Sequence, residues 1–223
     1  MKKRRSYNSS ISFDEQRRRM VDDQLKSRDI TDTNVLNSML RIPRHLFVPP
    51  KRQDEAYSDG PLQIGHGQTI SQPYIVASMT QALRLRDTSR VLEIGTGCGY
   101  QTAILSDLAK EVYSVEVIPE LTDKARRILK KLGCRNVHTD VRDGFLGWPE
   151  RSPYDGIIVT AAAPKLPEPL IAQLAVGGTI IIPLTTDAYG RQFLTRLTRE
   201  SDGLKRSTLY EVRFVPMVGQ VEE

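Results

Sequence analysis

The stretch Val91-Leu92-Glu93-Ile94-Gly95-Thr96-Gly97-Cys98-Gly99-Tyr100 decides the fold of this 223-residue chain. Its apolar and β-branched first half is typical of a strand that is buried on both faces. Three glycines at alternate positions then allow a sharp turn and a close approach of the backbone to a ligand, because glycine has no Cβ. The run therefore predicts a buried strand, a glycine loop and the start of a helix. Glycines after a strand also serve in plain tight turns, so the loop alone leaves both interpretations open.

A second acidic residue lies where nucleoside-binding folds need one. Glu116 stands 21 residues after Gly95, in a second strand-like run over 111–117. An acid at this spacing binds the two hydroxyls of a ribose in dinucleotide-binding folds. The pattern here is acid-x-G-x-G-x-G rather than the dinucleotide pattern G-x-G-x-x-G, and no Lys, Ser or Thr follows as in a P-loop. The spacing therefore favours a nucleoside cofactor of another kind.

Composition and charge indicate an ordinary globular protein. The chain has 39% hydrophobic and 26% charged residues, which suits one domain with a sizeable core. No apolar run approaches the roughly 18 residues of a membrane span, and the basic start, residues 1–5, lacks the apolar segment of a secretion signal. The two cysteines, Cys98 and Cys134, form neither a disulfide framework nor a metal motif. We therefore expect a cytoplasmic protein without a bound metal.

The formal net charge of +5 raises the question of a nucleic-acid partner. Residues 1–30 carry nine Lys or Arg against five Asp or Glu, whereas the rest of the chain is nearly neutral. A basic arm and a helix of mixed charge are better explained by solvation than by a phosphate-binding track. We expect a disordered basic tail over residues 1–12 and no specific nucleic-acid partner.

Helical and strand patterns alternate along the rest of the chain. Apolar periodicity and capping signals predict N-terminal helices over 13–28 and after Thr31 or Asp32, an irregular stretch around 43–50, and a helix from Pro73 to Leu85. Strands are predicted at 90–94, 111–117, 137–139, 154–160 and 179–184, with helices near 99–109, 120–132 and 167–174. The tail, 192–198 and 208–215, predicts an antiparallel strand pair. We therefore expect an α/β, Rossmann-like fold with a mostly parallel central sheet and helices on both faces.

The predicted topology also indicates where a ligand binds. We expect one domain over 13–223, with an N-terminal helical and substrate-loop region at 13–86 and a cofactor-binding core at 87–223. In open α/β sheets, ligands bind beyond the carboxyl ends of the strands, where the strand order reverses. Gly95, Glu116, Asp143 and Thr160 all lie at or just past such ends. Their agreement predicts a single site at that edge of the sheet.

Two further parts of the chain resemble the protein-L-isoaspartate O-methyltransferase family, the bacterial form in particular. One is the segment G-Q-T-I-S-Q-P at 67–73, within the longer match 61–74; the other is the combination of 91–102, 154–163 and 213–217. The segment at 67–73 is specific, because general methyltransferases lack it. The likeness runs from about Met20 to Val218. The chain departs from the family pattern in its basic N-terminal arm and after Val218.

The resemblance implies methyl transfer from S-adenosyl-L-methionine to the α-carboxylate of L-isoaspartyl residues in damaged proteins and peptides. Such residues arise when asparagine deamidates or aspartate isomerises through a succinimide. The methyl ester re-forms the succinimide, which hydrolyses in part to normal aspartate. We therefore expect S-adenosyl-L-methionine as cofactor, damaged proteins or peptides as substrates, no membrane partner, and a monomer.

The family's site residues carry over onto matching positions. Ser71 matches the active-site serine, Glu116 the ribose-binding acid, and the pair Asp143-Gly144 lies beside the adenine in the family. The expected cofactor-binding residues are Thr69, Ile70, Glu93, Gly95, Thr96, Gly97, Gly99, Glu116, Val117, Asp143, Gly144 and Thr160. The expected substrate-binding residues are Ile64, Gln72, Val215 and Pro216. Ser71 also fits a plain helix N-cap, and His66 is open between a base and a structural or peptide-contacting residue.

The implied reaction needs little acid–base chemistry from the protein. A carboxylate acceptor has an ordinary pKa of about 3.5–4 and is already an anion at pH 7. The reaction therefore needs no general base, metal or covalent nucleophile, but it needs alignment of the reacting atoms and exclusion of water. Neutral donors such as the Ser71 hydroxyl and the N–H groups of Thr69 or Ile70 suit a step in which opposite charges cancel.

Two other functions stay open at this point. One is methylation of a small-molecule acid or hydroxyl, although a hydroxyl acceptor would need a base that the sequence does not supply. The other is a non-catalytic cofactor-binding or RNA-associated protein that acts through its basic arm. RNA binding of that kind would weaken steeply with salt and disappear without residues 1–12.

Overall fold

A computed structural model describes residues 11–185 and 190–219 of the chain. The disordered tail predicted over 1–12 lies outside these residues except for Ile11 and Ser12. Ser12 belongs to the first helix, because its hydroxyl accepts a hydrogen bond from the Glu15 N–H at 3.2 Å and caps the helix N-terminus. No helix in the described ranges is both long and apolar enough to cross a lipid bilayer.

The N-terminal region places helices and a small hairpin beside the main sheet. Helix α1 covers Phe13–Arg19 and continues as a π-helical segment over Met20–Lys26; α2 covers Thr33–Arg41, and 3-10 turns cover Arg44–Phe47 and Pro50–Glu55. Strands β1 (Leu62–Gly65) and β2 (Gln68–Ile70) form an antiparallel hairpin, and helix α3 covers Pro73–Leu83. Asp32 caps α2 as the sequence predicts, since its carboxylate accepts the N–H groups of Asn34 and Val35 at 2.9 and 3.2 Å.

The remaining elements build one seven-stranded sheet. The strands are β3 (Arg90–Ile94), β4 (Glu111–Glu116), β5 (Val137–Val141), β6 (Tyr154–Val159), β7 (Leu174–Thr185), β8 (Gln192–Glu200) and β9 (Gly203–Val212), and the helices are α4 (Tyr100–Ser106), α5 (Pro119–Lys131) and α6 (Glu168–Ala172). Their spatial order is β5-β4-β3-β6-β7-β8-β9. The first five strands in this order, from β5 through β4, β3 and β6 to β7, pair in parallel. Strand β8 pairs antiparallel with both of its neighbours, β7 and β9. The expected Rossmann-like sheet with an antiparallel C-terminal pair is confirmed.

Burial on both faces explains why the core strands read as continuous apolar runs. Leu92 and Ile94 pack on one face, together with Trp148 and with Leu170 of α6. Val91, the neighbour of Leu92 along the strand, packs on the other face in a cluster that includes residues of α3 and α4. Each fully buried aliphatic side chain of this kind stabilises the fold by about 1.5–3 kcal/mol. The sheet is thereby held rigidly enough to fix the ends of its strands.

The strand order reverses at β3. From β3 the chain proceeds outward to β4 and β5, then returns to place β6 on the other side of β3. Parallel strands that diverge in this way leave a crevice beyond their carboxyl ends. Ile94, Glu116 and Val159 end the three strands at that crevice. The sequence-based location of the site is at the same edge.

The helix after the hairpin differs from its prediction at both ends. Its N-cap is Gln72, which makes no side-chain capping bond, so the prediction that Ser71 caps this helix is wrong. Pro73 occupies the first helical position and begins the helix through its fixed φ, which leaves Ser71 one residue too early to cap. The helix ends at Leu83 rather than Leu85, because Arg84 adopts a left-handed conformation with φ of 55°.

Three further elements differ in detail. The single helix predicted over 13–28 is α1 followed by the π-helical segment, whose Met20, Val21 and Leu25 enter the core. The last strand lies at Gly203–Val212 instead of 208–215, because a tight turn at 201–202 pairs Glu200 directly with Gly203. In β5 the strand continues two residues beyond the predicted end, to Val141.

Candidate functional site

Three neighbouring clefts open along the carboxyl edge of the sheet. The side cleft is lined by residues that include Thr69, Gly95, Gly97, Glu116, Val117, Gly144, Thr160 and 215–218. The inner cleft is lined by residues that include Thr69, Ile70, Ser71, Thr96, Gly97, Cys98, Tyr100 and Thr160. The outer cleft is lined by residues that include Pro61, Thr69, Ser71, Gln72, Thr160 and 211–215. Thr69 and Thr160 therefore form a wall that all three clefts share.

The glycine loop lies at the floor of the side and inner clefts. Gly95 has φ of +95°, a left-handed conformation that favours glycine. A Cβ at Gly95 would overlap Thr160 Oγ1, which donates hydrogen bonds to the carbonyls of Ile94 at 3.0 Å and Gly95 at 2.8 Å. The loop is thus fixed against β6 by a threonine, and only glycine fits beneath that side chain.

Glu116 places a carboxylate at the mouth of the side cleft. Its side chain is 7% exposed. One oxygen, Oε2, accepts the Gly97 N–H at 2.8 Å, and the other, Oε1, accepts the N–H groups of Val117 and Ile118 at 3.0 and 3.1 Å. Three backbone donors hold the carboxylate in one orientation, and Oε2, which accepts only one of them, retains acceptor capacity for a ligand. An acceptor held in this way suits neighbouring hydroxyl groups.

The far wall of the side cleft is tightly packed around Gly144. A Cβ at Gly144 would overlap a methyl group of Ile94 and come within 2.9 Å of Met217 Cε. Because Gly144 has no Cβ, Ile94 and Met217 pack directly against its backbone, and together they form an apolar wall that suits a flat ring. Asp143 lies behind that wall, where its Oδ1 accepts the Phe145 N–H at 2.9 Å.

Ser71 lies between the inner and outer clefts. Its carbonyl accepts a hydrogen bond from Arg44 Nη2 at 2.8 Å. Its hydroxyl has no hydrogen-bond partner within the part of the chain that the structure describes. A half-buried hydroxyl with free donor and acceptor capacity, on a residue that lines two clefts, suits contact with a polar ligand in either of them.

Glu93 lies beneath the glycine loop and lines none of the three clefts. Its side chain is fully buried, and Oε2 accepts hydrogen bonds from the hydroxyls of Thr102 and Ser114, both at 2.5 Å. Burial raises the pKa of this carboxyl from 4.5 to about 8. The Ser114 hydroxyl also bonds the Thr96 hydroxyl at 2.6 Å, which connects Glu93 to the loop. Its position suits support of the loop from below.

Most of the predicted site residues meet at these clefts. Those that line at least one cleft are Thr69, Ile70, Ser71, Gln72, Gly95, Thr96, Gly97, Glu116, Val117, Gly144, Thr160, Val215 and Pro216. Those that line none are Ile64, Glu93, Gly99 and Asp143. Ile64 is a buried residue of hairpin strand β1, and its Cδ1 lies 3.5 Å from where a Cβ at Gly97 would be. His66 is exposed at the hairpin turn and also lines none of them.

Several residues of the side cleft have no counterpart in the sequence-based prediction: Gln68, Ile118, Arg142, Ala161, Met217 and Val218. Arg142 donates to Asp140 at 2.7 Å and Glu150 at 2.9 Å and lies 4.9 Å from the centroid of a Trp148 ring. A correct end for β5 would have identified Arg142 as a strand-end residue. Met217 and Val218 come from the C-terminal tail through the bridge between Ala162 and Pro216, for which the sequence holds no local signal.

The chemistry of the clefts fits a nucleoside with an attached polar chain. The carboxylate of Glu116 would accept the ribose hydroxyls, the apolar wall at Gly144 would hold a base, and the inner cleft continues past Thr96 toward Ser71. Among the residues described, no three His, Cys, Asp or Glu side chains are grouped closely enough to hold a metal ion. Two ligands in neighbouring clefts would meet at the shared wall of Thr69 and Thr160.

Comparison with known proteins gives consistent results. The family model for protein-L-isoaspartate(D-aspartate) O-methyltransferase matches residues 15–222. A protein-L-isoaspartate O-methyltransferase of Picosynechococcus sp. is 52% identical over 203 residues, which cover 91% of this chain and 90% of the relative. One from Syntrophus aciditrophicus is 50% identical over 213 residues, covering 93% and 96%.

Two solved structures are also similar. A protein-L-isoaspartate O-methyltransferase superposes with a TM-score of 0.83 at 32% identity, over 91% of this chain and 66% of the other. A Plasmodium falciparum structure described as a putative protein-L-isoaspartate O-methyltransferase in complex with S-adenosyl-L-homocysteine gives a TM-score of 0.77 at 28% identity. That match covers 89% of this chain and 96% of the other.

Proposed function

The chain belongs to the protein-L-isoaspartate O-methyltransferase family, and from that membership we propose how its three clefts carry out the reaction. The enzyme is a protein-repair carboxyl methyltransferase that uses S-adenosyl-L-methionine and methylates the α-carboxylate of L-isoaspartyl residues. The side and inner clefts hold the cofactor, and the outer cleft holds the damaged peptide. One observation supports this division above all: Thr69 and Thr160 line all three clefts, so both ligands meet at one wall.

The residues of the side cleft bind and orient the nucleoside. Glu116 accepts a hydrogen bond from the ribose, while the apolar side chains of Ile94 and Met217, packed against Gly144, border the adenine. The glycine loop presents its backbone to the methionine part, which extends toward Ser71 in the inner cleft. When bound, the cofactor supplies a methyl group activated by a sulfonium. The chain contributes position and a shielded surface, with water excluded from the shared wall.

Ser71 aligns the acceptor. Ser71 lines both ligand clefts and its hydroxyl has no other partner among the described residues, so the hydroxyl is free to donate a hydrogen bond to the α-carboxylate. A neutral donor orients the anion without stabilising its charge strongly. This matters because the negative charge of the carboxylate disappears as the new ester bond forms, so strong stabilisation of the anion would slow the step.

The outer cleft receives the peptide around the damaged residue. Gln72 lies on its wall, with its amide nitrogen held by Asp59 Oδ1 at 2.8 Å. Asp59 is itself paired with Arg28. The opposite wall is formed by the chain from Glu211 to Val215. We propose that Gln72 and Val215 contact the peptide on either side of the isoaspartyl residue, and that Pro216 borders the place where peptide and cofactor meet.

A methyl-transfer assay that compares one peptide in its L-isoaspartyl and L-aspartyl forms tests this function. We expect methylation of the isoaspartyl form and little of the aspartyl form. Equal activity on both forms, or none on either, would sink the proposal. A small-molecule acid methylated faster than any peptide would favour the alternative methyltransferase function. RNA binding that disappears at high salt, in a chain without methyl transfer, would favour the non-catalytic one.

The enzyme is further proposed to act as a monomer in the cytoplasm. The two cysteines are both free, Cys98 buried and Cys134 half-buried, which suits a reducing compartment. Sedimentation analysis at micromolar concentration checks the first point, and a dimer would contradict it. Fractionation of cells checks the second, and recovery outside the cytoplasm would contradict it.

A further inference from the structure

Arg44 is a fully buried arginine with no ionic partner in the described part of the chain. Its side chain is 0% exposed. Nε donates to the Ala56 carbonyl at 2.7 Å, Nη2 donates to the Ser71 carbonyl at 2.8 Å, and Nη1 has no partner. Burial lowers the pKa of the guanidinium, and nearby Tyr100 and Cys98 oppose that effect. A buried cation that is hydrogen-bonded only to neutral groups lowers the stability of the fold. Its presence therefore needs a functional explanation.

The guanidinium connects three segments at the back of the inner cleft. Ala56 ends the 3-10 turn at Pro50–Glu55, Ser71 leads from the hairpin into α3, and Tyr100 begins α4. The guanidinium lies 4.9 Å from the centroid of the Tyr100 ring. Ser71 and Tyr100 line the inner cleft, whereas Arg44 does not. Arg44 therefore acts from behind the wall, through residues that touch the ligands.

We infer that Arg44 is a positioning residue for Ser71. The hydrogen bond to the Ser71 carbonyl fixes the main chain at that residue and leaves the hydroxyl free to meet the acceptor carboxylate. Arginine suits this role because its planar fork reaches two carbonyls at once and can still stack on a tyrosine, whereas lysine offers one compact ammonium. The inference rests on the role proposed above for Ser71.

Arg44→Lys, measured with an isoaspartyl peptide, tests the inference. We expect kcat to fall about tenfold or more, since a small displacement of an aligning group has a large effect on rate. Binding of S-adenosyl-L-homocysteine, measured by calorimetry, should fall much less than kcat, because the contacts proposed for its nucleoside lie in the side cleft, which Arg44 does not line.

Arg90→Lys is the matched control. Arg90 also donates to two carbonyls, those of Pro153 at 2.9 Å and Arg151 at 2.7 Å, and it lies 5.3 Å from the centroid of the Tyr113 ring. It begins β3, at the end of the strand opposite to the clefts, and lines none of them. We expect Arg90→Lys to lower the melting temperature and leave kcat at the wild-type value.

A double-mutant cycle with Ser71→Ala separates positioning from general support. If Arg44 acts through the Ser71 hydroxyl, Arg44→Lys should change kcat by less than about twofold in the Ser71→Ala background. A merely structural role would give the same fold-change in both backgrounds. Additive effects, a wild-type kcat for Arg44→Lys, or failure of that variant to fold would each overturn the inference. A wild-type rate for Ser71→Ala alone would instead overturn the role proposed for Ser71.

Discussion

At the scale of single residues, Glu116 is the contact through which the cofactor's ribose is expected to be recognised. Glu116→Ala should weaken cofactor binding by about 1–3 kcal/mol, because it removes a charged acceptor from the ribose hydroxyls. Glu116→Gln should have a smaller effect. Calorimetric titration with S-adenosyl-L-homocysteine measures both. The nearby exposed acid Glu120 provides a control, Glu120→Ala, and unchanged affinity in Glu116→Ala would reduce Glu116 to support of the glycine loop.

Ser71 gives a sharper prediction because it does not cap a helix. Gln72 holds the N-cap position, so Ser71→Ala should change the free energy of unfolding by less than about 0.5 kcal/mol. We expect kcat/KM to fall by about tenfold or more, beyond the effect of one lost neutral hydrogen bond. Denaturant unfolding measures the change in stability, and steady-state kinetics measure the change in kcat/KM. Ser152→Ala, at a position far from Ser71 in the sequence, is the control. Wild-type kinetics in Ser71→Ala would disprove the catalytic role of Ser71.

At the scale of elements, the loop between β3 and α4 depends on Gly97. Its φ of +53° disfavours a β-branched residue, and a Cβ there would point toward Ile64 at 3.5 Å. Gly97→Val should abolish cofactor binding and leave the fold largely intact, at a strain of about 1–3 kcal/mol. Gly133→Val is the matched control, since Gly133 has φ of +77° with open space around it. Normal cofactor binding by Gly97→Val would make this glycine a plain turn residue.

The alternating elements were predictable because burial of the sheet on both faces leaves continuous apolar runs such as 180–182 in the sequence. The β1–β2 hairpin was not, since strands of four and three residues are too short to show alternation, and its turn at 65–67 reads as loop. The start of β9 was missed because Glu200 and Gly203 pair across a two-residue turn. Local sequence patterns therefore suffice to predict long strands, and they fail where the pairing between strands decides the bounds of an element.

The site divides along the same line. Gly95, Glu116 and Thr160 were predictable because each follows a strand end, and parallel strand ends meet at one edge. Met217 reaches the side cleft only through the bridge of the tail to Ala162, a contact between distant parts of the chain. Arg44 gave no sequence signal either, since burial of an arginine is a property of the packed structure. Sequence motifs therefore identify the residues that line the clefts more readily than the residues that hold those lining residues in place.

At the scale of the whole molecule, buried Glu93 couples stability to pH. Its folded-state pKa is about 8, above the ordinary 4.5, so folding favours the protonated form. That contribution to stability is fully present below about pH 4.5 and is lost as the pH rises toward 8. Glu93→Gln should therefore be more stable than the wild type at pH 8.5, by at least about 1 kcal/mol, with a flatter profile. Denaturant unfolding at pH 5, 7 and 8.5 checks this, and parallel profiles would contradict it.

The shared wall of Thr69 and Thr160 has a kinetic consequence. Both threonines line all three clefts, so with the ligands placed as proposed, the free energy of filling one cleft would depend on the occupant of the next, and this dependence would be reciprocal. After each turnover the demethylated cofactor still rests on this wall while the next peptide arrives. We therefore expect it to inhibit competitively against fresh cofactor but in a mixed manner against peptide. The concentration of spent cofactor in the cell would then set the rate at which damaged proteins are repaired.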